Sequence, residues 1–430
     1  MQLKKSLGLF QLTVYGVGTI IGSGIYSVLG PAAQDAGQSI WVSFILAAVV
    51  ASFSAFSYAE LATALPNAGA EHNFLRNAFP KFPAIAFLVG MFIAIHGAAT
   101  IATVALTFAS YFKEIVQTNE AIVALILIAV LSILNTMGIK RATWVNVGFT
   151  VAQVSGLLIL AVAAFTASGF SDRLVDTMSA PINWNGAIQA TGIIFFIYTG
   201  YEHLASLSEE AKNPEKDLWK AFLLALVITT IVYLMIVFAV LTLVETDSIK
   251  QSGRALAIAG NARAPFLGHL IAIAALLATA NATLSGSISV SRLLFGVSRA
   301  GDLPRPLSQK VTSRGSPWLA IVVVLFGAGA FVLLGEIKQV ASLSSLGALL
   351  VFAAINAAVI VLRFLKPNLK RPFKIKGTIA GVPVIPVLGV VASLALATRY
   401  DGMIYIWFVV GVALASLGYF VRHARKGTIS

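Results

Sequence analysis

The sequence predicts an all-α polytopic membrane protein with about 12 transmembrane helices, and three observations predict it. Of 430 residues, 58% are apolar and 11% carry a formal charge, against roughly 25% charged in an ordinary soluble domain. The apolar residues gather into runs long enough for a bilayer crossing, which takes roughly 17–25 residues. Basic residues fall unevenly on alternate loops. Hydrocarbon offers no water to satisfy backbone amides, so such runs must be helices packed against one another.

Taken in order, the runs centre near Thr13–Leu29, Trp41–Ala64, Pro83–Phe112, Ala121–Gly138, Thr143–Ala167 and Ile188–His203. They continue near Leu218–Val244, Pro265–Ser298, Trp318–Leu334, Val340–Leu365, Val382–Thr398 and Met403–Val421. Short loops make residues 1–430 a single transmembrane domain, with spans 1–5 over about 7–167, spans 6–10 over about 188–365 and spans 11–12 over about 382–421. The first run follows Lys4 and Lys5 as a signal peptide would. It is long, glycine-interrupted and lacks a clear small-residue cleavage site, so it reads as a retained span.

A net charge of +13 raises the question of nucleic acid, and the placement of the basic residues answers it. Of the 30 lysines and arginines, Lys113, Arg173, Lys250, Arg254, Arg263, Lys338 and Arg399 fall on one side, leaving 23 for the other. That asymmetry follows the positive-inside rule, places both termini in the cytoplasm and fits a cell membrane protein with no nucleic-acid partner. Lys366, Lys370, Arg371, Lys374 and Lys376 between spans 10 and 11 set topology or grip anionic headgroups. With no cysteine, thiolate metal sites and a disulfide-linked partner are excluded, and no cofactor or metal is called for.

Spans 1 and 6 carry glycine where a helix interior avoids it, at a cost of about 1 kcal/mol relative to alanine. Span 1 reads Gly16-Val17-Gly18-Thr19-Ile20-Ile21-Gly22-Ser23-Gly24, and span 6 has Gly192 followed by Phe195-Phe196-Ile197-Tyr198-Thr199-Gly200-Tyr201-Glu202. A shift of 176 residues lays Gly16 on Gly192, Ser23 on Thr199 and Gly24 on Gly200. Five spans precede span 6, so its copy is inserted upside down, as in the inverted repeats of many secondary transporters. Close helix packing accounts for Gly18 and Gly22. It does not account for a hydroxyl-glycine pair at the midpoint of both spans, where an unwound turn frees amides for a carboxylate and carbonyls for an ammonium.

Catalytic readings of the same residues fail. The glycine run has one residue too many for a dinucleotide loop, and no strand precedes it. Ser23 has no evident histidine base: only His96 and His203 fall at depth, and no aspartate falls mid-span.

At these residues the sequence resembles the amino acid-polyamine-organocation family. Ile21-Gly22-Ser23-Gly24-Ile25-Tyr26 is similar to its opening signature. Tyr58-Ala59-Glu60-Leu61 followed by Pro66-Asn67-Ala68-Gly69 is similar to its turn after span 2. Tyr198-Thr199-Gly200-Tyr201-Glu202 leading to Ser208-Glu209-Glu210-Ala211-Lys212-Asn213-Pro214 is the most specific piece. Span 8 closes with Ser291-Arg292, then Ser298-Arg299-Ala300-Gly301-Asp302-Leu303-Pro304. The resemblance implies a LeuT-like five-plus-five inverted repeat with two additional helices and substrate held at the breaks in spans 1 and 6. It implies a permease of amino acids working by alternating access, with Ile20, Gly22, Ser23, Gly24, Thr199 and Gly200 at the substrate and Phe196 covering it. A polyamine or cationic amino acid exchanger, a sodium-coupled symporter of the same fold and a non-transporting scaffold subunit are the alternatives.

Coupling is the open point. Where several proton-coupled relatives place a span-5 lysine against the span-1 break, this chain has Gln153, which cannot titrate. Uncoupled exchange, a proton carried elsewhere, or sodium held by span-1 carbonyls and span-8 hydroxyls remain. Glu202 is the titratable candidate, since an intramembrane acid is costly and marks function by default; otherwise it sits at the mouth and pairs with a neighbour such as His203. Glu60 is expected to be structural, Glu209-Glu210 to be solvated or to form gating ion pairs beside Lys212, and His96 to be a hydrogen-bonded packing residue.

Overall fold

The computed structural model describes residues 5–22, 24–113, 116–250, 255–334 and 337–398, with scattered positions between 402 and 413. Ser23 and most of the expected run Met403–Val421 lie outside the described residues, as does the carboxyl tail. The helices in chain order are α1 Leu9–Ile21, α2 Gly24–Ala36, α3 Ile40–Ala64, α4 Ala70–Ala78, α5 Pro83–Lys113, α6 Glu120–Thr136, α7 Ile139–Phe165, α8 Phe170–Ser179 and α9 Trp184–Ile197. They continue as α10 His203–Ser206, α11 Pro214–Leu243, α12 Ala255–Arg263, α13 Pro265–Arg299, α14 Pro306–Gln309, α15 Trp318–Leu334, α16 Ile337–Leu365 and α17 Val384–Ala397. A hairpin of two-residue strands, β1 Thr378–Ile379 and β2 Val382–Pro383, turns at Ala380 and Gly381.

Seven helical stretches are long and apolar enough to cross a membrane, and α6, α15 and α17 are shorter apolar helices. Local signals set their starts. Proline occupies the first turn of α11 and of α13, where its missing N–H costs nothing. The Asn119 side chain accepts from Ala121 N and Ile122 N at the start of α6. Large apolar side chains point outward along the helices: Ile126 and Ile133 on α6, Val151 and Val162 on α7, Phe326 and Leu333 on α15 are all exposed. Such a surface suits lipid and not water. The architecture is all-α and polytopic, as expected.

Span 8 matches its expected run Pro265–Ser298: α13 runs from Pro265 to Arg299, with Arg292 fully buried inside it. One feature departs from the sequence reading. Short helices α4, α8, α12 and α14 occupy stretches read as plain loops; their charged and small residues hide the helical period that a span makes obvious.

Inside the bundle, α13 packs on α5 and α7, α11 on α1 and α3, and α9 on α2 and α3. At the end that carries α4 and the α10–α11 turn, ion pairs tie these helices together. The Glu209 carboxylate receives both arms of Arg299, and Glu210 lies 3.4 Å from Arg292 Nε. Lys212 is therefore not their partner. Arg292 also donates to Asn135 Oδ1 at 2.9 Å. The amino-terminal segment joins in, with Ser6 N and Leu7 N donating to Glu210 O at 2.9 and 3.0 Å. Glu60 is held by Arg363 and Arg371 and accepts from Ile375 N. Of the five-residue basic stretch, Arg371 is thus engaged, Lys370 pairs with Glu215 and Lys366 donates to Asn77.

Candidate functional site

Two helices break mid-bundle. The first break follows Ile21, where Gly22 turns at φ 32° before α2 begins at Gly24. The second spans residues 198–202 between α9 and α10, with Gly200 at φ 115°. The breaks touch. A Cβ on Gly200 would lie 2.6 Å from Thr19 O, and a Cβ on Gly24 would lie 2.5 Å from Ile197 Cγ2. Glycine is required at 200 both by its backbone conformation and by this approach.

Tyr233 on α11 clasps the two breaks. Its hydroxyl lies 2.9 Å from Ile20 O and 3.1 Å from Ile197 O, the last helical carbonyl of α9. One hydroxyl proton serves two acceptors from different broken helices. Sequence reading missed Tyr233, because it stands in a uniformly apolar run with nothing to distinguish it from packing aromatics.

Between the breaks lies a cavity of about 100 Å³. Ile20, Gly22, Gly24, Thr199, Gly200 and Glu202 all line it, so six of the candidate positions meet at one place. Ser23 lies outside the described residues. Phe196 lies on α9 one turn before the second break, and its side chain is outside the described set. Thr19, Thr100, Ala282 and Ser285 add polar and small groups, and His96 and His203 add two imidazoles. His96 lines the cavity with its ring stacked on Phe92 at 6.0 Å, and its Nδ1 has no hydrogen-bond partner among the described residues. The face of α5 that carries it also presents Gly97, Thr100, Ile101 and Val104, which leaves that side open.

Among the described residues, Glu202 is the one formally charged side chain lining the cavity. Its Oε2 accepts from Gly200 N at 2.7 Å, which stabilises the turn of the second break. Its partner is thus a backbone amide, and no ion pair joins it to His203 among the described residues. Gln153 does not line the cavity. It sits behind the first break, with Nε2 3.4 Å from Gly18 O. Its neighbours form a buried polar layer in which Asn281 donates to Thr150 at 2.9 Å and Asn146 donates to Asn281 at 2.6 Å and to Ser285 at 2.8 Å.

Unwound backbone in the middle of an apolar bundle is tolerated where it lines a cavity and offers its dipoles to a ligand. A family model described as amino acid permease matches residues 7–418. The chain belongs to the amino acid permease family. Related chains include a branched-chain amino acid permease of Bacillus subtilis, 28% identical with 99% of this chain and 94% of that one covered. A methylthioribose transporter of the same bacterium is 26% identical, with 99% and 95% covered. A vacuolar cationic amino acid transporter of Arabidopsis thaliana is 28% identical, with 85% and 64% covered. This amino acid permease family member is therefore a multi-pass membrane transporter of amino acids or related solutes.

Proposed function

We propose that the chain is a secondary permease of small neutral amino acids, working by alternating access as one domain in the cell membrane with both termini in the cytoplasm and carrying out no catalysis. The observation that carries this reading is the meeting of both helix breaks at one small cavity. The backbone at Ile20, Gly22 and Gly24, facing that at Thr199 and Gly200, offers amides to an α-carboxylate and carbonyls to an α-ammonium, and Ser23 joins them by its place in the sequence motif. Phe196 covers the bound substrate. A volume of about 100 Å³ favours a short side chain, and among the described residues no lysine or arginine lines the cavity to receive an acidic one.

Glu202 carries the proton in this reading, and Gln153 is a neutral spacer against Gly18 O. Glu202→Gln keeps the shape of the group and fixes it neutral. Uptake by that variant loses its response to external pH, while binding at low pH stays within about threefold of the parent. Because Glu202 is the one charge on the cavity wall among the described residues, a cationic amino acid or amine is the second reading. On that reading the same variant loses about tenfold or more in affinity, the worth of a desolvated opposite charge.

The test is thermal unfolding of the purified protein against amino acids and amines, with and without sodium. A specific ligand raises the midpoint as its concentration passes its dissociation constant. Stabilisation by alanine or serine, independent of sodium, supports the proposal. Stabilisation by amines alone, or only in sodium, favours one of the alternatives.

A further inference from the structure

A second pocket, of about 510 Å³, opens at the end of the bundle that carries α4. Its wall comes from α4 and the links on either side of it, the end of α13 and the residue after α16, and none of it from α1, α2, α9 or α10. It is therefore separate from the cavity between the breaks, and the transport reading leaves it without a role.

Arg76, Arg299 and Lys366 line this pocket, and among the described residues no carboxylate does. The acids that touch these cations are not on the wall. Glu209 takes both arms of Arg299, while Asp302 lies 3.4 Å from Arg76 Nη1 and also binds His72 at 2.8 Å. Lys366 has a neutral partner, donating to Asn77 Oδ1 at 2.7 Å. Three cations thus meet two carboxylates, and positive charge is left over at the wall. Donors are left over as well. Arg76 engages Nη1 alone, with Ala300 O at 2.9 Å and with Asp302, so its Nε and Nη2 have no protein acceptor among the described residues. Lys366 Nζ carries three N–H groups and makes one bond.

The flanks of the pocket carry apolar side chains that face outward. Pro80 on its wall is followed by exposed Lys81 and Phe82, and Lys366 is preceded by exposed Phe364 and Leu365. A cation beside an outward-facing aromatic on both flanks is the pattern of a membrane boundary, with the ring against acyl chains and the charge among headgroups.

We infer that this pocket is a site for a phosphate-bearing anion, occupied by the headgroup phosphate of an anionic phospholipid whose acyl chains pass Phe82 and Phe364. Basic pockets between membrane helices recognise such headgroups. Arg76 and Lys366 make the contacts, since Glu209 already holds both arms of Arg299. Of the basic stretch after α16, Lys366 alone lines the pocket among the described residues; Lys370 pairs with Glu215 and Arg371 with Glu60. Bound there, one lipid ties α4 to the ends of α13 and α16. The inference rests on neither the substrate nor the coupling reading.

Thermal unfolding of the full chain in dodecylmaltoside micelles tests it, with dioleoyl phosphatidylglycerol, dioleoyl phosphatidylcholine or inorganic phosphate added in increasing amounts. Phosphatidylglycerol is expected to raise the midpoint and phosphatidylcholine is not. Lys366→Gln is expected to need about fivefold more phosphatidylglycerol for the same rise, and Arg76→Gln with Lys366→Gln about twentyfold more. Lys370→Gln removes the same charge from the same stretch without touching the pocket, and is expected to match the parent. The lipid-free midpoint of each variant checks its folding. If inorganic phosphate reproduces the rise and the same two substitutions weaken it, the site stands with a soluble phosphate as its occupant. A phosphatidylglycerol response equal in the parent and the double variant, or weakened as much by Lys370→Gln as by Lys366→Gln, overturns the inference, as does a parent that responds to neither phosphatidylglycerol nor phosphate.

Discussion

Tyr233 shows how much can rest on one hydroxyl. It satisfies carbonyls that both broken helices leave without helical partners, 2.9 Å from Ile20 O and 3.1 Å from Ile197 O. Tyr233→Phe leaves those buried acceptors wanting, at a cost of about 1–3 kcal/mol, and loosens the backbone that frames the cavity. The expected result is a lower unfolding midpoint together with weaker alanine binding; weaker stability with unchanged binding would confine the clasp to a packing role. Glu71 makes a different prediction, because its carboxyl rises from 4.5 to about 7 on folding. A raised carboxyl contributes most below pH 4.5 and loses that contribution as pH climbs through about 7. Relative to Glu71→Gln, the parent should therefore match in stability near pH 4 and fall behind by up to about 3 kcal/mol at pH 8. Denaturant unfolding across that range reads the difference, and parallel curves would show that Glu71 is not buried as an acid.

Between elements, the contacts that matter join helices far apart in sequence. Gln153 on α7 touches Gly18 on α1 through a single 3.4 Å contact. As a neutral group it carries no proton, so Gln153→Ala should leave the pH profile of uptake unchanged, and a flattened profile would contradict this. The pair Glu210–Arg292 is wholly buried at 3.4 Å and anchors both the α10–α11 turn and the amino-terminal segment to α13. Breaking one side of a buried pair costs about 3–5 kcal/mol, whereas replacing both partners by apolar groups is often neutral. Glu210→Ala should destabilise by that amount, and Glu210→Leu with Arg292→Met should recover most of it. Equal loss in the single and double variants would mean that the pair itself, and not the stranded arginine, supplies the stability.

At the scale of the molecule, the membrane class was legible because each span must be apolar throughout, and the site was visible because glycine is conspicuous in such a run. Gly22, Gly24 and Gly200 therefore pointed to the region where the cavity lies. Other parts were not legible. The partners of Arg292 were hidden, since nothing in a single sequence shows that Glu210 and Asn135 surround it. Glu71 drew no reading from the sequence, because its burial depends on the elements packed over α4. His96 looked like packing, because the open face of α5 is set by neighbours that sequence spacing does not order.

The central claim is that substrate occupies the cavity between the breaks. Glycine variants at 24 or 200 would test it poorly, since added atoms there meet Ile197 and the Thr19 backbone before any ligand. Ala282 lines the cavity from α13, so Ala282→Leu fills it while leaving the break glycines themselves in place. Equilibrium binding of radiolabelled alanine to the purified parent and to Ala282→Leu is the direct measurement. A folded variant whose affinity falls at least about tenfold is the predicted result, and alanine binding unchanged by Ala282→Leu would place the substrate elsewhere.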